Sequence, residues 1–439
     1  MSGGELIQAD EPFVGNYFVS VYPPFSTWTT DDLHHVERVL DAPSHNANRL
    51  GLYVHVPFCV ERCQFCYYLS YADKSPSDFD AYLDAIAREL TLYRERPALA
   101  GRELSFVYFG GGTPSLLPAR TIEGFLSRLQ GILPWGHVEE ATFECAPKSV
   151  TREKMEILRG AGITRVSLGV QQLDDDVLQK NGRIHRVSDV EQALDCIRTA
   201  DFRVLNLDLM VGLVGETDET VLATLERVIQ VQPDSVTVYQ LEIPHNTPLY
   251  RALHEGTVST PPAHWTIKHR RLLECFSRLE KAGYTPRSGY TVVRDPKVHG
   301  FVYQDAQYFG ADLIGLGAAS FSYVAGVHYQ NAASFPSYMG RMGQGGLPAA
   351  RAHCLDHDER VIREFVLQLK LGTVRAKHFR EKFGADILAR FGETLADCAR
   401  RGWLTYDDNG VMLTRAGLVR VDHLIPAFYP PRLHGVRYT

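Results

Sequence analysis

Short apolar runs recur along the first half of the chain: Leu52–Val56, Leu104–Phe109, Glu140–Glu144, Arg165–Val170, Val204–Met210 and Ser235–Tyr239. Runs of this kind read as strands buried on both faces. Between them lie segments of helical periodicity, such as Ser77–Tyr93 and Ser188–Ala200. The alternation predicts parallel strands joined by crossover helices, an α/β fold. Six such units fall between about residues 50 and 240. That is too few for an eight-fold barrel and enough for an open, partial (β/α)6 barrel.

The flanks differ. Residues 1–50 hold Asn16-Tyr17-Phe18, Tyr22-Pro23-Pro24-Phe25 and Trp28, then a helix from near Thr30 with Asp31 and Asp32 in its first turn. This reads as an ordered N-terminal arm packed on the main body, residues 51–350. Residues 351–439 read as a helical, winged-helix-like domain. Helices are predicted at Asp358–Leu371, Ala376–Phe383 and Ala385–Arg401, then a two-stranded hairpin turning at Asn409-Gly410. No basic stripe marks a recognition helix, so nucleic acid is not an expected partner.

Composition narrows the field. The 439 residues are 45% hydrophobic and 22% charged, with 46 Lys+Arg against 52 Asp+Glu. A net charge of −6 is too mild and mixed for a membrane-surface or nucleic-acid protein. No run of 18 apolar residues exists, so no membrane span is expected. The N-terminus lacks an apolar signal core, which places the chain in the cytoplasm. In a reducing cytosol, clustered cysteines among the eight read as metal ligands or catalysts.

Such a cluster follows the first strand: Cys59, Cys63 and Cys66, spaced C-x3-C-x2-C. Three thiolates on one short loop can hold a four-iron cube and leave one iron open. A three-cysteine zinc site is the alternative, although no His stands at a finger-like offset and His55 lies inside the strand. The remaining cysteines are scattered singly. The loop resembles the radical S-adenosylmethionine (SAM) superfamily, which implies that SAM chelates the fourth iron and yields a 5′-deoxyadenosyl radical. Gly110-Gly111-Gly112-Thr113-Pro114 follows the second strand and resembles the stretch that holds the SAM amino group. Glu144, Gln171, Arg183 and Asp208 stand at or near strand carboxyl ends, where α/β ligands bind.

The likeness extends to Asn206–Thr217, Asn246–Leu249, Gly315–Phe321 and the C-terminal helices. These resemble the family of oxygen-independent coproporphyrinogen III oxidase. The resemblance implies a [4Fe–4S] cluster and two SAM molecules side by side. The cluster-bound SAM would touch Tyr53, Gly111, Glu144 and Phe321. The second would touch Phe65, Gly112, Thr113, Gln171, Arg183, Asp208 and Gln240.

Within that family the chain departs from the oxidase, which has a further Cys where Tyr68 stands here. It departs from the heme chaperones, which begin near the first strand. The arm and Cys66–Lys74 look most like the class C radical SAM methyltransferases. That likeness implies addition of a SAM-derived methylene radical to an sp2 carbon of a natural product, ending in methylation or cyclopropanation. It implies an external electron donor such as flavodoxin or ferredoxin, and a methyltransferase-like partner that closes cyclopropanes. Tyr67, Tyr68, Tyr71 and His55 are the candidate proton donors or acceptors. The alternatives are a tetrapyrrole oxidase and a heme chaperone.

Overall fold

The structure is a computed structural model that describes residues 22–43, 49–257 and 260–436. The six expected strands form in order: β1 Leu50–Val56, β2 Leu104–Gly111, β3 Glu140–Cys145, β4 Arg165–Gln171, β5 Val204–Val211 and β6 Ser235–Gln240. They are parallel and hydrogen-bond in sequence order. Crossover helices cover them, among them Pro76–Arg94, Ala119–Ile132, Val187–Thr199 and Asp218–Val231. Leu52, Val54, Phe109, Val166, Leu168 and Leu207 are buried beneath this cover. The helix Pro76–Arg94 starts where its chemistry dictates. The Ser75 side chain accepts from Asp78 N, Asp78 answers the Ser75 amide, and Pro76 occupies the first turn.

The sheet runs further than six strands. Beyond β6 come antiparallel β8 (Thr291–Val293) and β7 (Thr285–Pro286). On the other side of β1 lies β9 (Asp312–Leu316), parallel to it, then antiparallel β10 (Phe321–Val324), β11 (Val327–Asn331) and β12 (Ala349–Cys354). The result is one sheet of twelve strands with β1 inside it.

In the C-terminal part helix His357–Leu369 packs against helix Ala376–Phe383, and helices Ile387–Arg390 and Gly392–Arg400 follow it. The single helix expected over Ala385–Arg401 is broken at Phe391, whose ring stacks on Phe365 at 4.3 Å and meets Phe428 at 5.4 Å. The expected wing gains a strand: β13 (Thr373–Arg375) pairs with β15 (Gly410–Leu413), which pairs with β14 (Leu404–Asp407). Its turn is Asp408-Asn409, one residue early, with Asp407 Oδ1 accepting from Asn409 N at 2.8 Å.

In the arm, Tyr17 and Phe18 lie outside the described residues. The helix starts at Leu33 rather than near Thr30. Phe25 and Trp28 are buried against Phe321, with ring centroids 4.7 and 5.6 Å away. Among the described residues no helix is long and apolar enough to cross a membrane.

Candidate active site

The cysteine loop leaves β1 and is tied down along its length. Tyr71 N donates to Pro57 O at 2.7 Å, Cys59 N to Tyr71 O at 3.0 Å and Gln64 N to Asn181 O at 3.2 Å. Arg62 donates to Cys66 O at 2.8 Å. Cys59, Cys63 and Cys66 are free thiols, half-buried, and line one cavity of about 650 Å³. Among the described residues no three His, Cys, Asp or Glu side chains converge on a single metal ion. An iron–sulfur cube spreads its ligands over separate irons and tolerates wider spacing.

The glycine stretch at the end of β2 lies against this loop. A Cβ on Gly112 would sit 2.7 Å from the Phe58 carbonyl oxygen. Gly111 has φ of +109°, and a Cβ there would meet the His55 ring at 2.5 Å. The amides are spent within the protein. Gly111 N donates to Glu144 Oε2 at 3.1 Å, Gly112 N to Val56 O at 2.9 Å and Thr113 N to Phe58 O at 2.7 Å. The stretch therefore clamps the loop as well as lining the cavity.

Two carboxylates from neighbouring strands face the same space. Glu144 accepts from Tyr108 OH at 2.6 Å, and burial pushes its pKa up to about 7. Asp208 accepts from Ser167 Oγ at 2.7 Å and Asn206 Nδ2 at 2.9 Å, and burial pushes it up to about 6. Such carboxylates suit a cationic ligand, which would favour their ionised forms. Gln171 Oε1, Arg183 Nε and Gln240 Oε1 are buried without a hydrogen-bond partner among the described residues. All three side chains line this cavity, so the protein leaves polar groups for a ligand to satisfy. The donor set thus fits an iron–sulfur cluster with a charged cofactor beside it.

A second cavity of about 600 Å³ adjoins the first, and Arg62, Tyr67, Tyr68, Ser70, Gly111 and Glu144 line both. Its walls are aromatic, with Phe25, Tyr53, Tyr108, Phe301, Tyr303 and Phe321 among them. Of the residues expected around one SAM, Gly111 and Glu144 border both cavities, whereas Tyr53 and Phe321 border only the second. Phe65, Gly112, Thr113, Gln171, Arg183, Asp208 and Gln240 all line the first.

The four candidate proton donors or acceptors separate. Tyr67 and Tyr68 stand in the shared wall, and burial raises both phenols well above their ordinary pKa. His55 borders the second cavity, its ring 3.0 Å from Tyr53 OH, and burial lowers it to about 4. Tyr71 lines neither cavity, because its hydroxyl accepts Phe335 N at 2.8 Å behind the loop.

Sequence reasoning missed several lining residues. Glu242, Tyr290 and Asp422 reach the first cavity, and His328, Arg351 and Arg363 reach the second. Glu242 lies two residues beyond the end of the sixth strand, a position open to inspection. Tyr290 lies in the bend before β8, and the others come from strands and helices that carry no motif.

Comparison with known proteins adds the following. The chain matches the model of the radical SAM superfamily over residues 53–228 and that of the HemN C-terminal domain over residues 355–420. It is 28% identical over 382 residues to the heme chaperone HemW of Bacillus subtilis (strain 168), covering 86% of this chain and 98% of that one. It is 26% identical over 396 residues to the oxygen-independent coproporphyrinogen III oxidase of Escherichia coli (strain K12), covering 86% and 85%. The solved structure of coproporphyrinogen III oxidase (HemN) from Escherichia coli superposes with a TM-score of 0.81 at 24% identity. It covers 94% of this chain and 96% of that one, and so shows a shared fold.

The radical SAM domain supports a [4Fe–4S] cluster and SAM. The expectation of a class C methyltransferase acting on an sp2 carbon is overturned. Relatives matched over most of their length are heme chaperones and porphyrinogen oxidases. The natural-product substrate and the cyclopropanase partner lose their support with it.

Proposed function

We propose, from the HemN-like radical SAM family placement that these domains and relatives support, that the chain acts on a tetrapyrrole in its second cavity as an oxidoreductase. One observation carries the reading: the aromatic cavity shares a wall with the cavity of Cys59, Cys63 and Cys66. A flat macrocycle stacked there would present an edge to whatever the first cavity holds. The compounds in the relatives' names, coproporphyrinogen III and heme, are both tetrapyrrole macrocycles; heme is flat, whereas the porphyrinogen has saturated bridges and is puckered.

Cys59, Cys63 and Cys66 would hold the cluster. When bound, cluster and SAM supply a carbon radical by one-electron reduction, the electron coming from an external donor such as flavodoxin or ferredoxin. The chain's own residues bind and shield. Glu144 and Asp208 offer carboxylates to an ammonium or to ribose hydroxyls, and Arg183 offers a guanidinium to a carboxylate. Gln171, Arg183, Asp208 and Gln240 would contact a second SAM, should one bind beside the first. The phenols of Tyr67 and Tyr68 stay protonated and serve as donors, not bases. His55 stays neutral. Glu144, in the shared wall with a pKa of about 7, is the group able to hold or release a proton near neutrality.

A second reading, heme binding without turnover, is favoured by the match over 98% of the HemW chain. Reconstituted, reduced protein with SAM and coproporphyrinogen III separates the two. Decarboxylated porphyrinogen together with 5′-deoxyadenosine supports the oxidoreductase. Stoichiometric heme binding with no tetrapyrrole product supports the chaperone. Failure to bind either tetrapyrrole sinks both.

A further inference from the structure

Three arginines that are buried or nearly so away from the two cavities each meet a carboxylate. Arg102 pairs with Asp312 at 2.8 Å, Arg271 with Glu216 at 2.7 Å and Arg165 with Glu140 at 3.7 Å. Two arginines of the second cavity break this pattern. Arg363, in the helix His357–Leu369, is 1% exposed, and no carboxylate among the described residues lies within 4.0 Å of it. Its Nε donates to His328 Nε2 at 3.0 Å, and its guanidinium lies over the Tyr323 ring at 3.8 Å. Arg351, on β12, has no carboxylate within that distance either. Its Nε donates to Gln330 Oε1 at 2.7 Å and its Nη1 to Phe25 O at 2.8 Å. Among the described residues Nη2 of each arginine donates to no partner, and both side chains line the cavity.

Neutral acceptors and a ring face hold these guanidiniums in place but do not cancel their charge. A buried cation without a counter-ion costs several kcal/mol, and a cation–π contact returns only about 0.5–2 kcal/mol of that. The partner that repays it is an anion brought by the ligand. The guanidinium fork fits a carboxylate by two parallel hydrogen bonds.

We propose that Arg351 and Arg363 form a carboxylate-binding subsite of the second cavity, which selects ring-system ligands bearing at least two carboxylates. This rests on the reading of that cavity as the substrate site. The aromatic walls take the ring system, with Phe25 and Phe321 centroids 4.7 Å apart at one side. The two arginines then distinguish acid side chains from neutral ones.

The test is fluorescence titration of reconstituted protein with coproporphyrin III and with its uncharged tetramethyl ester. The acid is expected to bind at least about tenfold tighter than the ester. Arg351→Gln and Arg363→Gln should each weaken acid binding about tenfold and leave the ester unchanged. Arg351 is half-buried, so its variant carries the test if Arg363→Gln fails to fold. Equal binding of acid and ester to the wild type, or an unchanged acid affinity in Arg351→Gln, overturns the subsite and leaves the tetrapyrrole reading standing. If neither porphyrin binds, the tetrapyrrole reading fails, and naphthalene-2,6-dicarboxylate is titrated by ligand-observed NMR instead. Saturable binding lost in Arg351→Gln then supports the subsite, and no saturable binding overturns it.

Discussion

Arg183 Nη1 donates a hydrogen bond to the Sγ of Cys63 at 3.1 Å, across 120 residues of sequence. Its Nη2 donates to Gly169 O at 2.9 Å, so one side chain ties the cysteine loop to β4. A cation and a hydrogen bond at a ligand sulfur raise the reduction potential of an iron–sulfur centre. Arg183→Gln should therefore keep near wild-type iron content but give a more negative midpoint potential and slower SAM cleavage. Redox-poised EPR together with an iron assay checks this. An unchanged potential would show that the contact has no electronic role.

Glu144 gives a pH signature. Its folded-state pKa, raised to about 7 chiefly by burial, exceeds its ordinary 4.5. Its contribution to apo-protein stability is thus fully present below about pH 4.5 and lost as pH rises through about 7. Cation binding runs the other way and needs the ionised form. SAM affinity should fall as pH is lowered through about 7, while the apo-protein gains stability over the same range. In Glu144→Gln both dependences should shrink, and what remains of the binding profile should centre near 6, where Asp208 titrates. Calorimetric SAM titrations and thermal melts, compared with wild type across this window, decide it.

Phe25 separates the two cavities experimentally. It is 5% exposed, packs on Phe321 and lines only the second cavity. Phe25→Ala should cost about 3 kcal/mol in denaturant unfolding. It should weaken porphyrin binding while leaving iron content and SAM binding intact. A matching loss of SAM binding would mean that the arm also supports the first cavity.

Gly112→Ala should displace the cysteine loop, because the added carbon would press on Phe58 backbone atoms at 2.7 and 2.9 Å. Backbone cannot swing aside as a long side chain can. The expected result is loss of most of the bound iron. Gly124→Ala, in the helix Ala119–Ile132 with nothing within 4 Å of the new carbon, should instead stabilise by about 1 kcal/mol. Iron assays and melts on both variants give opposite signs under this account.

What could be read from sequence was what local spacing encodes. The six buried runs became β1–β6, and the C-x3-C-x2-C loop and the glycine stretch meet as their positions after adjacent strands require. Tertiary chemistry was not legible. Gln240 was expected at a ligand, yet its Nε2 donates to Val419 O at 2.9 Å, 179 residues on, while its Oε1 remains open. Arg351 and Arg363 belong to elements with no motif, and only the fold sets both around one cavity. The methyltransferase reading failed because Tyr67, Tyr68 and the arm aromatics suit any flat ligand. Their residue types alone do not distinguish which reaction that ligand undergoes.

Glu144 and Tyr68 border both cavities, and that arrangement makes the two sites one thermodynamic system. A ligand in the second cavity would change the surroundings of Glu144, and with them the affinity for a ligand in the first. Reciprocity then fixes the reverse effect: the factor by which one ligand changes the other's affinity is the same in both directions. On the proposed assignment, cofactor affinity would gauge whether the substrate is seated, and the order in which the two arrive need not be enforced by any moving part.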